Sequence, residues 1–193
     1  KSVLGESATP RLAGIGISGD LDGNATIVVT KAQSVDVYVW KVTNGVVNPT
    51  PQKYAFPVAT PSFYWSVVPM PIGTPGYMGF FSTSATNGLI WMNSTMGEVS
   101  RSSGVRTSGG DVITINGRVY VAYTAYSGDQ KGVMRICDIT DGKFNQIFNY
   151  TMEASGANGN STASACLMVK NNELYAVFGC TGSGLYFYRI ACR

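Results

Sequence analysis

Val37-Tyr38-Val39-Trp40, Leu89-Ile90-Trp91-Met92, Val133-Met134-Arg135-Ile136 and Leu185-Tyr186-Phe187-Tyr188 are four short, mostly apolar runs that each give way to polar residues. Their first residues lie 52, 44 and 52 positions apart (37 to 89, 89 to 133, 133 to 185). A period of roughly 40 to 50 residues written in short strands is the signature of a radial β architecture.

Working outward from these runs, each repeat reads as a meander. The stretches 14–18, 66–70, 111–115 and 165–170 come first, and 25–30, 77–82, 118–126 and 173–179 come second. The quoted runs are third, and 53–57, 98–106 and 144–150 are fourth. Val, Ile, Tyr and Phe dominate the strands, and turn pairs such as Asn116-Gly117 and Asn171-Asn172 separate them. Nothing sustains a 3.6-residue apolar period, so little or no helix is expected. Apolar residues at consecutive positions in the third strands predict that both faces of those strands are covered, the environment of a sheet between two other sheets.

The fold expected is therefore all-β, a four-bladed β-propeller in a single domain spanning 1–193, with blades at about 12–58, 62–107, 110–152 and 163–193. The last repeat ends with its third strand, while 2–6 belongs to no repeat. The expectation is that this N-terminal strand completes the last blade, in its own molecule or in a neighbour, and covers an edge that otherwise invites pairing.

Composition limits the function. Charged residues are 13%, there are 23 glycines, and the net charge is +3 with no cluster of Lys and Arg, which argues against a nucleic-acid partner. No apolar run is long enough to form a membrane span. With no initiator Met and no cleavable leader, Lys1 reads as the start of a processed or trimmed chain. Histidine is absent, which removes the usual general base, the Ser-His-Asp systems and most catalytic zinc sites. Asp111, Asp138, Glu153 and Glu173 are the carboxylates from which a glycosidase pair could be drawn, but no spacing favours any two. The sequence therefore reads as that of a non-enzyme.

Four sequons, at Asn24, Asn93, Asn149 and Asn160, fit the glycan-acceptor pattern, and Cys137, Cys166, Cys180 and Cys192 form an even set without zinc spacing. Together they predict an extracellular, secreted or cell-surface glycoprotein with disulfides. The expected register favours the pairs 166–180 and 137–192 among the three connectivities that four cysteines allow.

Gly19-Asp20-Leu21-Asp22-Gly23-Asn24, followed by Ile27-Val28-Val29 and Val37-Tyr38-Val39, resembles the FG-GAP or VCBS repeat of integrin-like propellers over residues 14–45. In that family an aspartate-rich loop holds calcium, so the resemblance implies a calcium ligand set of Asp20, Asp22 and Asn24. Ala25 stands where the family has glycine and the closing aspartate is missing, which leaves few oxygens for an ion that takes six to eight. A polar Asp-Gly turn without any cofactor is the simpler reading.

Aromatic residues at Tyr64, Trp65, Tyr123, Tyr126 and Tyr188 have the chemistry to stack on sugar rings, although residues of this kind inside apolar strands more often pack between blades. Trp40 and Trp91, in the third strands of two repeats, read as a repeated core. The function expected is a secreted, glycosylated structural or interaction module, a building block of an extracellular coat, matrix or filament. Self-association through strand edges or apolar faces is its expected mode of assembly. The alternative is a carbohydrate-binding lectin of the same shape.

Overall fold

The structure, a computed structural model, describes residues 12–32, 34–57, 65–81, 88–102, 107, 109–126, 132–151, 164–180 and 184–191. Four antiparallel sheets form the blades of a four-bladed β-propeller, and the described residues contain no helix. Blade 1 contains β1 (Leu12–Gly19), β2 (Ala25–Lys31), β3 (Asp36–Thr43), the two-residue β4 (Val46–Val47) and β5 (Gln52–Ala55). Blade 2 contains β6 (Trp65–Pro69), β7 (Tyr77–Phe81), β8 (Leu89–Met92) and β9 (Glu98–Ser102). Blade 3 contains β10 (Gly110–Ile115), β11 (Arg118–Tyr126), β12 (Gly132–Asp138) and β13 (Asn145–Thr151). Blade 4 has three strands, β14 (Ser164–Lys170), β15 (Glu173–Cys180) and β16 (Gly184–Ile190). The expected N-terminal strand at 2–6 lies outside the described residues.

Side chains alternate across each strand, so every blade has two faces, and register decides which residues share one. In blade 2, Val67, Gly79 and Ile90 stand in one cross-strand row, and Val68, Met78 and Trp91 in the next. The first row points to blade 1 and the second to blade 3. Three apolar clusters follow from this arrangement. Val28, Val39 and Phe56 of blade 1 meet Val67, Phe81, Ile90 and Met92 of blade 2. Met78, Phe80 and Leu89 of blade 2 meet Val112, Val121 and Tyr123 of blade 3. Ala122, Met134 and Ile136 of blade 3 meet Leu167, Ala176 and Phe178 of blade 4.

Two glycines let innermost strands come close to their neighbours. A Cβ on Gly16 would stand 2.4 Å from the Val67 carbonyl oxygen, and one on Gly110 would stand 2.3 Å from the Ala122 carbonyl oxygen and 2.4 Å from the Phe80 ring. Neither position has room for a side chain, so blade 1 can sit against blade 2, and blade 3 against Phe80, only because these residues lack one.

The expectation of third strands covered on both faces holds for β8 and β12, which lie in the middle of the stack. It does not hold for β3 or β16. In β3, Val37 and Val39 are buried while Tyr38 and Trp40 are only partly covered, and no side chain described in β16 is buried. Trp91 packs on the cluster between blades 2 and 3, but Trp40 belongs to no such cluster, because its face of blade 1 has no neighbour among the described residues.

Candidate functional site

The chain has two kinds of candidate site: the turns gathered at one end of the blades, and the two outermost blade faces. The turns are built by one repeated device. In the β1–β2 turn, Asp20 Oδ1 accepts hydrogen bonds from the backbone N–H of Asp22 (3.0 Å) and Asn24 (2.8 Å), and Oδ2 accepts one from Asn24 Nδ2 (3.0 Å). In the β8–β9 turn, Asn93 Oδ1 accepts from the N–H of Thr95 and of Gly97, both at 2.9 Å. In the β12–β13 turn, Asp141 Oδ1 accepts from the N–H of Lys143 (3.0 Å) and from Asn145 Nδ2 (2.9 Å). Each staple joins residue i to i+2 and i+4, satisfying turn donors that strand pairing leaves free.

This geometry bears on the calcium reading. Both oxygens of Asp20 are committed to donors, and those bonds hold its carboxyl below the usual carboxylate range, first through the Asn24 side chain and then through the Asn24 N–H. Asn24 Oδ1 in turn accepts from the Asn44 N–H at 3.3 Å. Among the described residues, no three acidic or thiol side chains gather closely enough to hold a metal ion. The oxygens of Asp20 and Asn24 are thus engaged by donors of the chain itself. They fit a turn that recurs in blades 2 and 3, where the same i, i+2, i+4 bonding is made by Asn93 and Asp141.

Of the four sequons, Asn93 and Asn149 stand exposed, Asn24 is half-buried with its amide nitrogen bonded to Asp20, and Asn160 lies outside the described residues. Asn149 is on the outer strand of blade 3, where its Oδ1 accepts from Arg135 Nε at 2.9 Å.

Of the expected cysteine pairs, 166–180 and 137–192, Cys192 and the side chain of Cys180 lie outside the described residues. Cys137 and Cys166 are both free thiols. Cys166 pairs in register with Val177, and the backbone of Cys180 stands three residues further along β15. Cys137 points into the cluster between blades 2 and 3, with its Sγ 4.0 Å from the Tyr123 hydroxyl, while blade 4 packs on the opposite face of blade 3. Its expected partner, Cys192, lies outside the described residues. Burial raises the Cys137 thiol above its ordinary range, and burial followed by the nearby Asp111 carboxylate raises Cys166.

Three of the four carboxylates considered for hydrolysis are held in separate structural contacts. Asp111 Oδ2 accepts from the Leu167 N–H at 2.8 Å and ties blade 3 to blade 4. Asp138 pairs with Arg118 at 3.1 Å and accepts from the Thr140 hydroxyl at 2.6 Å. Glu173 accepts from the Tyr175 hydroxyl at 2.6 Å and pairs with Arg189 at 3.5 Å. Glu153 lies outside the described residues.

Of the aromatic residues considered for sugar stacking, Tyr123 is buried between blades and its hydroxyl is pushed far up by burial. Tyr188 stands among Phe148, Tyr150 and Phe178, with centroids 4.8, 6.4 and 6.1 Å away. It also lines a cleft of about 640 Å³ between the outer parts of blades 3 and 4, with Tyr120, Arg118, Asp138, Asn145 and Arg189. Tyr64 and the side chains of Trp65 and Tyr126 lie outside the described residues.

Sequence reasoning missed the outermost faces. On blade 1, Ile17, Ile27 and Trp40 form one cross-strand row and Ile15, Val29 and Tyr38 the next. On blade 4 the corresponding rows are Cys166, Val177 and Phe187, and Ser164, Gly179 and Leu185. Ile15 and Ile17 are 63% and 67% exposed, and Leu185 and Phe187 are 67% and 72% exposed. Among the described residues, no apolar cluster joins blade 4 to blade 1. The signal available in sequence was the apolar alternation of 15, 17, 27 and 29, which specifies a face to be covered but not what covers it.

No family model and no curated protein sequence matches the chain. Among solved structures, the chain is similar to a DUF4623 family protein from Bacteroides eggerthii, at 16% identity and a TM-score of 0.61, over 94% of this chain and 46% of that one. It is also similar to a thermostable family-43 glycoside hydrolase, at 8% identity and a TM-score of 0.55, over 90% of this chain and 65% of that one. The chain thus spans less than two thirds of the length of either protein, and identities this low carry the fold alone.

Proposed function

We propose that this chain is a non-catalytic structural or interaction module of the cell exterior, a glycosylated building block that associates with copies of itself into a coat, matrix or filament. The observation that carries the reading is the pair of apolar sheet faces, on blades 1 and 4, that no other blade covers among the described residues. Contiguous exposed apolar surface of this kind marks an interaction site. Exposed sequons at Asn93 and Asn149 add support for an extracellular setting. The engagement of Asp111, Asp138 and Glu173 in separate turn and blade contacts supports a role without hydrolysis. Sedimentation of the native protein over a wide concentration range, with mass spectrometry of the sequon peptides, tests the proposal. Concentration-dependent assembly and occupied asparagines are expected, whereas a monomer at all concentrations with four unmodified sequons would remove the reading.

A second reading, a carbohydrate-binding module, is favoured by the cleft between blades 3 and 4, where Tyr188 offers a ring face beside the polar groups of Arg118, Asn145 and Arg189. Sugar recognition uses that combination of an apolar platform and convergent hydrogen-bonding groups. Saturable binding on a glycan array, lost in Tyr188→Ala, would replace the first reading with this one.

A further inference from the structure

Each blade in the middle of the stack presents a leading face to the blade before it and a trailing face to the blade after it. The trailing face of blade 1 meets the leading face of blade 2, and the pattern repeats from blade 2 to 3 and from 3 to 4. Among the described residues two half-interfaces are left over: the leading face of blade 1 and the trailing face of blade 4. We propose that these two faces mate between molecules, the leading face of blade 1 in one copy docking on the trailing face of blade 4 in the next. This pairing rests on the self-association proposed above and specifies its geometry.

The argument is continuity with an interface the chain already forms three times. A trailing face in this protein is covered by a leading face, and the free leading face is the one on blade 1. Its rows, Ile17-Ile27-Trp40 and Ile15-Val29-Tyr38, supply the branched and aromatic side chains that also fill the other blade contacts. The receiving face offers Met168, Val177, Leu185 and Phe187.

The charges on the two faces are compatible with burial. At the outer margin of blade 1, Lys53 pairs with Asp36 at 2.9 Å and lies over the Tyr38 ring, 5.8 Å from its centroid. At the margin of blade 4, Arg189 pairs with Glu173 at 3.5 Å. These two pairs enter the contact with their charges matched, which avoids for them the large penalty of a buried unpaired ion. Because the two faces differ, the contact is heterologous. It closes into a ring if two copies satisfy each other and continues as a filament if the rotation does not close.

The test uses two single-face variants of the whole chain, Ile17→Glu and Phe187→Glu, at positions exposed enough that the fold is retained, as circular dichroism would verify. Each variant alone is expected to lose self-association by about 30-fold or more, as for a hot-spot residue. An equimolar mixture is expected to recover a 1:1 heterodimer, because each variant keeps the face that the other has lost. Like-with-like pairing would instead leave one variant self-associating and the mixture unrescued, overturning this proposal while self-association stood. Assembly unaffected by either variant would have the same meaning. A wild-type chain that stays monomeric at high concentration would overturn both the pairing and the self-association on which it rests.

Discussion

Among the described residues, blades 2 and 3 are covered on both faces and blades 1 and 4 on one, yet the four repeats are written in the same residue types. The central strand β7 is buried at every position, whereas β1 alternates between Gly16, buried against blade 2, and Ile15 and Ile17, which face solvent. What distinguishes a core residue from a docking residue here is the neighbour on its face and not its hydrophobicity. Comparing the central with the terminal blades therefore separates what an apolar side chain does for stability from what it does for association.

Phe80 and Phe187 make the sharpest form of that comparison. Phe80 is fully buried between blades 2 and 3, and Phe80→Ala is expected to lower unfolding free energy by about 3–5 kcal/mol, from lost transfer energy plus a cavity. Phe187→Ala is expected to change monomer stability by less than about 0.5 kcal/mol, as for an exposed site. Urea melts of dilute protein measure both. A large loss from Phe187→Ala under those conditions would mean that the trailing face of blade 4 is already covered within the monomer.

Next in size are the close approaches. Gly110→Ala places a methyl group against the Phe80 ring and the Ala122 carbonyl oxygen, and Gly16→Ala against the Val67 carbonyl oxygen. Overpacking of this kind costs about 1–3 kcal/mol. Gly109 has no atom closer than 3.6 Å to a Cβ, so Gly109→Ala is the matched control and is expected to cost much less. Thermal melts of the three variants rank them. Equal losses would show that the tight contacts between blades yield easily.

The meander order, the repeat boundaries and most strand positions were legible because alternation and turn residues are local properties. The second strand of blade 3, expected at 118–126, is β11, and the third strand of blade 2, expected at 89–92, is β8. What covers a face is not local, and this is why Trp40 read as core although it stands on an open face. Register and face, which put Cys166 across from Val177 and turn Cys137 toward blade 2, are likewise set by neighbouring strands and not by spacing. The loop at Asp20 was legible as a turn and also as a calcium site. Its hydrogen bonds are shared in form with Asn93 and Asp141, which no spacing in the sequence shows.

Those staples extend the comparison to the turns. Asn93→Ala removes the acceptor for two backbone N–H groups and is expected to cost about 1 kcal/mol, the usual value for a lost capping-type bond. A chemical-denaturation midpoint shifted without a change in slope is the expected signature.

The smallest effect is one of pH, and it distinguishes blades 1 and 3 from blade 2. In blade 2 the acceptor is an amide, which does not titrate in this range, whereas Asp20 and Asp141 are carboxylates held below their ordinary 3.8 by their turn bonds. For Asp141 the Lys143 N–H contributes most, followed by the Asn145 amide. A carboxyl whose folded pKa is depressed contributes stability that is fully present above its unfolded value and is lost as pH falls through the folded one. The turns of blades 1 and 3 are therefore expected to weaken below 3.8 while the Asn93 turn is unchanged. Both carboxylates are fully exposed, so solvent screening keeps the effect modest. Backbone amide exchange of Asn24 and Lys143, compared with Gly97 on acidification, reads it directly, after correction for the intrinsic pH dependence of exchange. Asp20→Asn should remove the pH-dependent loss at Asn24 while keeping an acceptor oxygen, since Asn93 shows that an amide oxygen alone holds this turn. If all three amides lost protection together on acidification, the cause would be opening of the whole fold and not titration of the staples.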